Sequence, residues 1–351
     1  MKFSHFALPA FALAFASCSD GSNDSGDISE TVQSSGVVNV YSSRHYDSDK
    51  AMFDSFTAQT GIKVRLRESK GPSLFETMKV EGERSPADLV ITSDSGSLFR
   101  FQEAGLLQPL QSDALETAIP ANFREEDGHW FGLAKRARVI VYDPTRLSAE
   151  QVDDYADLAS DELAGEVCQR SSSNIYNLSL MADMIERKGP LEAEATARAI
   201  VDNFARPPKG GDTAQIQSVA AGECSAAFAN HYYWVRFSQS GSAANRETAE
   251  KTALSFPEQN ARGTHVNVTG AGLAANAPNK ENAIKLLEWL ATPEGQAMLV
   301  TETKEFPIVA GAKLPAGLET LPQFKESDMP LSVFGERQSE AQKIYDRAGW
   351  N

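Results

Sequence analysis

Two adjacent tyrosines behind an Asn-His pair offer the clearest chemistry in this sequence. They stand in the run Asn230-His231-Tyr232-Tyr233, which follows a short apolar stretch. A phenol is a weak acid with a pKa of about 10, but a bound trivalent cation can hold it as phenolate at neutral pH. Phenolate is a hard, anionic oxygen ligand, so the pair suits a hard cation. Aromatic packing at the start of a helix is the competing interpretation.

The elements around the pair decide where the phenols point. On a strand, neighbouring side chains face opposite sides, and on a helix they lie about 100° apart. A strand-to-helix junction aims both at one spot. A helix end, a stop at Gly222 and a short buried strand before Asn230 predict such a junction. The pair would then lie at the carboxyl end of a strand, where open α/β sheets bind ligands.

The sequence of the N-terminal region predicts an export signal followed by a tether. Residues 1–17 contain an apolar run too short for a membrane span, which predicts a secretory signal peptide. Phe15-Ala16-Ser17-Cys18 resembles the lipobox of bacterial lipoproteins, although that pattern prefers Leu at the place of Phe15. Because of this resemblance, lipidation of Cys18 is predicted. The alternative is an ordinary signal peptide that is cleaved near Ala16 or Ser17. Residues 18–35 are mostly small and polar and predict a flexible tether.

The remaining length and the charge limit the possible classes of protein. The chain has 351 residues and a formal net charge of −15. Residues 36–351 are long enough for two lobes of ordinary domain size. The negative charge argues against nucleic acid and anionic membranes as partners and is compatible with a cationic ligand. No second apolar span is present, which predicts a soluble, exported protein.

The cysteines suggest a disulfide in the exported protein. If Cys18 carries lipid, Cys168 and Cys224 remain as an even pair in an oxidising compartment, which predicts a bond between them. Two buried unpaired thiols are the alternative. Neither is expected to bind metal, because no C-x-x-C spacing occurs.

A β-α-β-α-β-α alternation opens the folded part and predicts a mostly parallel sheet with helices on both faces. His45 and Tyr46 follow its first strand, at the edge where ligands bind. Tyr176 falls in the first turn of a later helix. Stretches near 137–142 and 264–272 predict two crossovers between lobes. The predicted division gives 36–138 and 269–351 to the N-terminal lobe and 139–268 to the C-terminal lobe.

Several motifs along the chain occur together in a known order. They include Ser43-Arg44-His45-Tyr46, Arg136-Ala137-Arg138, Gly210-Gly211-Asp212-Thr213, Asn230-His231-Tyr232-Tyr233 and Gly270-Ala271-Gly272. Together they resemble the periplasmic ferric-ion-binding proteins of bacterial iron ABC transporters, over about residues 37–309. A set of independent motifs in the right order is far more specific than any one of them.

The resemblance implies a class II periplasmic-binding fold, in which two α/β lobes joined by a hinge of two crossover strands close on Fe(III) in the cleft between them. In the tyrosine-rich subgroup, typified by cyanobacterial members, the ligands correspond here to His45, Tyr46, Tyr176, Tyr232 and Tyr233. The presence of Tyr46 places the chain in that subgroup. The run of three serines from residue 171 departs from the family pattern, as do the paired cysteines.

Ligand chemistry agrees with iron as the ion. Phenolates with one imidazole favour Fe(III) over Ca²⁺, which takes carboxylates and carbonyls, and over Zn²⁺, which takes Cys, His or carboxylate. Three or four phenolates nearly neutralise a +3 ion, which reduces the need for a companion anion. Arg136 and Arg138, with Asn230 nearby, could bind carbonate or a similar anion, or could only steady the phenolates.

We therefore expect a monomeric periplasmic binding protein, lipid-anchored if Cys18 is acylated, that captures Fe(III) and passes it to an ABC permease of the inner membrane. No enzymatic activity is expected. A binding protein of the same fold for an anion or a polyamine is one alternative. A secreted iron-tyrosinate metalloenzyme is another, although five protein ligands would leave little open coordination for a substrate.

Overall fold

The computed structural model describes residues 36–44 and 46–351. The predicted signal peptide, the tether with Cys18, and His45 lie outside the described residues. Within the described part, no helix is both long and apolar enough to cross a membrane.

Strands and helices alternate along the chain. The strands are β1 Val37–Ser42, β2 Lys63–Glu68, β3 Leu89–Thr92, β4 Phe131–Tyr142, β5 Ala226–Asn230, β6 Ala253–Ser255, β7 Val266–Leu273 and β8 Phe306–Pro307. The helices are α1 Asp47–Thr60, α2 Gly71–Glu81, α3 Ser95–Glu103, α4 Asp113–Ala118, α5 Ile175–Lys188, α6 Pro190–Asp202, α7 Asp212–Ala220, α8 His231–Ser238, α9 Ala243–Glu250, α10 Lys280–Leu290, α11 Pro293–Thr301, α12 Val333–Glu336 and α13 Gln338–Ala348.

The sheet has the order β2-β1-β3-β7-β4-β5, with β6 and β8 paired to β4. β1 pairs in parallel with β2 and β3, as the opening alternation predicted. β7 is antiparallel to β3 and β4, and β4 is antiparallel to β5, β6 and β8. The prediction of a mostly parallel sheet is therefore wrong beyond the first three strands. Only those strands are joined by the consecutive helical crossovers on which the prediction rested.

β4 is the longest strand and connects two groups of strands. It has 12 residues, and the predicted crossover near 137–142 forms its second half. Its first half, up to Ala137, pairs with β7, and from Arg138 onward it pairs with β5. A Cβ added to Gly270 of β7 would lie 2.7 Å from the carbonyl oxygen of Phe131, so glycine is needed for this close approach. Arg136 and Arg138 are thereby placed where the two groups meet.

The two largest apolar cores accompany the two groups of strands. Val40, Phe56 and Leu286 belong to the first core, whereas Ile140 and Phe228 belong to the second. Such paired cores are what a two-lobed fold requires, because each lobe must bury its own apolar faces. The exact division of the chain between the lobes stays a prediction. α13 packs against α5 and α6 with the second core, although 269–351 was given to the N-terminal lobe.

Candidate metal centre

The tyrosine pair lies at a junction between a strand and a helix, as the sequence predicted. β5 ends at Asn230 and α8 begins at the next residue. The ring centroids of Tyr232 and Tyr233 are 4.4 Å apart, and their planes are inclined by 39°. Tyr232 is buried, with 1% of its surface exposed, and Tyr233 is half-buried. The two phenols therefore face one region rather than opposite sides.

Tyr176 reaches the pair from the beginning of α5. The side-chain oxygen of Asn174 accepts the backbone N–H of Tyr176 at 3.0 Å and caps this helix. The Tyr232 hydroxyl donates to the Tyr176 hydroxyl over 3.3 Å. Two segments that are distant in the sequence thus bring their phenol oxygens into contact.

Tyr46 approaches from the other group of strands, between β1 and α1, where it is the residue that precedes the helix. The guanidinium carbon of Arg236 lies 5.1 Å from the ring centroid of Tyr46 and 5.0 Å from that of Tyr232. It also lies 5.5 Å from the Tyr233 ring. One arginine therefore faces tyrosines from both groups of strands, and the four predicted tyrosine ligands gather in one place. The contribution of His45 stays a prediction.

Burial makes these phenols reluctant to ionise. Burial is the main cause that raises the pKa of Tyr46, Tyr232 and Tyr233. The charge of Glu305 adds to it at Tyr46, and repulsion from neighbouring phenols adds to it at all three. Arg236 opposes the rise at Tyr46, and Arg136 opposes it at Tyr232. At neutral pH these three tyrosines are protonated, and a cation that binds them must displace their protons.

Arg136 lies behind Tyr176, with its guanidinium carbon 5.5 Å from the ring centroid. Its Nε and Nη2 donate to one oxygen of Glu305 at 3.1 and 2.8 Å. Nη1 donates to the carbonyl of Ser93, and Nη2 also to the hydroxyl of Thr269. These bonds use most of its donors, which favours steadying the tyrosines over binding an anion. The anion role stays a prediction.

Arg138 is likewise engaged by protein groups. Its Nη1 donates to Asp212 at 2.6 Å and to Asn230 at 3.2 Å. The amide nitrogen of Asn230 donates in turn to the Tyr232 hydroxyl at 3.3 Å. Asp212 also accepts from Arg170 at 2.8 Å, and the two arginines hold the pKa of this buried carboxyl below its usual value despite burial, which would raise it. A chain of polar contacts thus fixes the orientation of the Tyr232 phenol.

A cavity of about 380 Å³ borders two of the four tyrosines. Tyr176 and Tyr233 form part of its wall, together with the cationic side chains of Lys70, Arg100 and Arg170. Further polar lining comes from residues that include Ser43, Ser93, Ser173 and Asn174. The serine run that departs from the family pattern therefore contributes both to the start of α5 and to this cavity.

Cys168 and Cys224 are joined by a disulfide, with their Cα atoms 5.8 Å apart. Both residues are fully buried. The backbone N–H of Cys168 donates to the carbonyl of Ala226, the first residue of β5, at 3.0 Å. The bond therefore joins the segment that leads to Tyr176 with the segment that leads to Tyr232.

Three residues that the sequence analysis did not select belong to the surroundings of the site, namely Arg44, Arg236 and Glu305. Arg236 follows the tyrosine pair by one helical turn, so its spacing could have identified it. Arg44 directly precedes His45 and Tyr46. Glu305 had no local signal, because its partners come from β4, β7 and the segment that follows β1.

A second group of potential metal ligands lies elsewhere. Donor atoms of Glu125, Asp127 and His129 lie within 4.8 Å of one another. One Glu125 oxygen already accepts the backbone N–H groups of Asp127 and His129, at 3.0 and 2.9 Å, and contacts the His129 ring at 3.1 Å. This carboxylate serves the turn before β4, so the group offers weaker grounds for a metal site than the tyrosines.

Comparisons with known proteins identify the family. Residues 51–326 match the bacterial extracellular solute-binding protein family. Iron uptake protein A1 of Synechocystis is 42% identical over 330 residues, which are 94% of this chain and 92% of that protein. A solved Trichodesmium structure, IdiA (FutA) in complex with iron and citrate, superposes with a TM-score of 0.86 at 48% identity, covering 90% of this chain and 100% of the other. The ferric binding protein of Campylobacter jejuni gives a TM-score of 0.85 at 37% identity, with coverage of 90% and 100%. The chain therefore belongs to the bacterial extracellular solute-binding proteins and has the two-lobed class II periplasmic-binding fold that its sequence predicted.

Proposed function

We propose that this protein captures Fe(III) in the cleft between its lobes and delivers it to an ABC permease. The observation that carries the proposal is the convergence of Tyr46, Tyr176, Tyr232 and Tyr233. Four phenols at one point make a poor core, because each hydroxyl needs a partner. They make a good set of ligands for a hard trivalent ion, which neutralises their charge when they ionise.

The relatives support the same function. Their names describe iron uptake and ferric binding, and one related structure contains iron with citrate. A binding protein for a polyamine would be expected to hold its cation with carboxylates, whereas the carboxylates around these tyrosines are paired with arginines. The names also describe binding rather than catalysis, which favours a carrier over a metalloenzyme.

An organic anion is a reasonable companion for the ion. The cavity beside Tyr176 and Tyr233 has room for more than carbonate, and Lys70 and Arg100 supply positive charge on its wall. Citrate is the anion in the related Trichodesmium structure. We therefore propose that the cavity accepts either carbonate or a carboxylate chelator that arrives with the ion.

The cellular setting follows from the same relatives. One of them, from Serratia marcescens, is named a periplasmic Fe(3+)-binding protein, so we place this protein in the periplasm. A permease of the inner membrane would be the recipient of the iron, and the carrier would act as a monomer. Anchoring through lipid on Cys18 remains part of the proposal.

Metal analysis and a visible spectrum of protein purified without chelator test the function. Iron-loaded protein should contain about one iron per chain and show a tyrosinate-to-iron charge-transfer band. Tyr232→Phe combined with Tyr233→Phe should lose the band, because both phenolates are removed. Tyr142→Phe, on β4 outside the phenol cluster, is the matched control and should keep it. Wild-type protein that stays colourless with ferric citrate would refute the proposal and favour another solute.

A further inference from the structure

A short segment between α11 and β8, from Thr303 to Glu305, contacts three of the arginines that lie over the tyrosines, namely Arg44, Arg136 and Arg236. It contains none of the predicted ligands. The carbonyl of Thr303 accepts two hydrogen bonds from Arg236, at 2.9 Å from Nη2 and 3.2 Å from Nε. The guanidinium that faces three tyrosines is therefore held by this carbonyl.

The next residue, Lys304, contacts His231, the first residue of α8. The backbone N–H of Ala137 donates to Nδ1 of His231 at 3.2 Å, so Nδ1 is the unprotonated nitrogen. Nε2 then carries the proton and donates to the carbonyl of Lys304 at 3.1 Å. The ring of Phe306 stacks on His231 with centroids 4.4 Å apart. Because His231 directly precedes Tyr232, the position of that phenol depends on these contacts.

Glu305 connects the remaining two tyrosines. Its side chain is buried and accepts from Arg136 through one oxygen and from Arg44 through the other, at 2.8 and 3.4 Å. The guanidinium of Arg44 lies 5.0 Å from the ring of Tyr46, and that of Arg136 lies 5.5 Å from the ring of Tyr176. One carboxylate thus holds two arginines against tyrosines that come from different elements.

The backbone of this segment is strained. Lys304 has a φ of 62°, and among the described residues other than glycine only Glu258 shares a positive φ. Left-handed backbone costs free energy for a residue with a side chain, and such strain is concentrated at functional sites. The turn at Lys304 lets two consecutive carbonyls face α8 while the following carboxylate faces β4.

We propose that the segment from Thr303 to Glu305 couples the tyrosines of the two lobes, with Glu305 as a positioning residue that holds Arg44 and Arg136 against Tyr46 and Tyr176. The proposal rests on iron capture by the tyrosines. Through these contacts a shift of one tyrosine is passed to the others, so the four phenols reach the ion as a set.

The sign of the effect separates positioning from simple charge. A +3 ion that displaces one proton from each of the four phenols lowers the charge of the site by one. On charge alone, removing the negative charge of Glu305 should therefore favour binding. If Glu305 positions the arginines, its removal should weaken binding instead.

Three variants measured by competition with a ferric chelator test the proposal. Glu305→Gln and Glu305→Asp should each lower the affinity for Fe(III) tenfold or more and shift the charge-transfer maximum. The aspartate keeps the charge but is one methylene too short to reach both arginines. Glu326→Gln is the matched control. Glu326 is half-buried and pairs at 2.6 Å with Lys135, the neighbour of Arg136 on β4. Its affinity should equal that of the wild type.

Other outcomes are equally informative. Unchanged or tighter binding by Glu305→Gln, or wild-type affinity of Glu305→Asp, would overturn the coupling while leaving iron capture intact. If the wild type binds no iron, the proposed function fails, and iron-free crystals of Glu305→Asp decide the coupling. In these crystals Arg44 should move away from the Tyr46 ring and Arg136 from the Tyr176 ring. If the arginines and rings keep their wild-type positions, the coupling is refuted. Far-ultraviolet circular dichroism confirms that each variant is folded.

Discussion

At the scale of residues, the site combines phenols that resist ionisation with arginines that favour it. Burial raises the pKa of Tyr46, Tyr232 and Tyr233, and repulsion from neighbouring phenols, above all Tyr176, raises it further. Arg236 lies within 5.5 Å of all three rings. Such a site keeps its protons until a cation of high charge replaces them, which disfavours weakly charged competitors.

Iron binding should therefore release protons. We expect about one proton for each phenol that binds the ion, since these phenols are protonated at neutral pH before binding. Titration of the iron-free protein with a ferric chelate in weakly buffered solution, with pH recording, measures this number. Tyr232→Phe with Tyr233→Phe should reduce it, whereas Tyr142→Phe should not. Release of no protons above the chelate blank would show that the phenols do not bind as phenolates.

Acid should destabilise the iron-free protein through Glu305. Burial alone would raise the pKa of Glu305, but attraction to Arg136 and Arg44 outweighs it and lowers this pKa from the usual 4.5 to about 2. Because the folded-state pKa is depressed, the stabilisation is present above pH 4.5 and is lost as the pH falls toward 2. The ionised Glu305 contributes roughly 3 kcal/mol to the free energy of unfolding. Urea unfolding between pH 7 and 2 measures it, and Glu305→Gln should show a smaller loss over that range. An equal loss would assign the acid sensitivity to other groups.

At the scale of elements, the sequence predicted the ligand-bearing junctions better than the sheet. The apolar run before Asn230 and the following polar and aromatic residues correctly predicted the β5–α8 junction. Tyr176 was correctly placed in the first turn of α5. These are local signals, because a strand end and a helix start depend on neighbouring residues.

What the sequence did not predict depends on distant parts of the chain. The antiparallel pairing of β7 with β3 and β4 joins strands far apart in sequence, and hydrophobic patterns carry no information on partner or direction. The same applies to Glu305, whose role depends on Arg44 and Arg136. Local composition cannot show which carboxylate will meet which arginine.

The disulfide should stabilise the part of the molecule that carries Tyr176, Tyr232 and Tyr233. Replacing Cys168 and Cys224 by serine should lower the free energy of unfolding by about 2–5 kcal/mol, because the cross-link restricts the unfolded chain. It should also weaken iron binding, since the bond joins the segments that carry Tyr176 and Tyr232. Alkylation of the unfolded, unreduced protein followed by peptide mass analysis checks the bond itself. Alkylated peptides containing Cys168 or Cys224 would contradict it.

At the scale of the whole molecule, the proposed site takes its tyrosines from both groups of strands. Tyr46 lies beside α1, which packs in the first core, and Tyr176 lies on α5, which packs mainly in the second. Another polar contact connects the same two sides, because the Ser179 hydroxyl of α5 donates to Asp94 at the start of α3 over 2.9 Å. An ion that bonds to tyrosines on both sides favours the closed arrangement by the difference between its affinities for the closed and open states.

Binding of Fe(III) should therefore close the cleft in solution. On the predicted division of the chain, three of the tyrosines lie on one lobe and should hold the ion first, and closure then adds Tyr46. We expect the radius of gyration from small-angle scattering to fall when the wild type is saturated with Fe(III). Tyr46→Phe should still bind iron, but more weakly and with a larger open population, because one of the bonds that favour closure is gone. Tyr232→Phe with Tyr233→Phe should nearly abolish binding and leave the radius unchanged. If the wild-type radius stays constant at confirmed full occupancy, the lobes are closed before binding or the ion is held by one lobe alone.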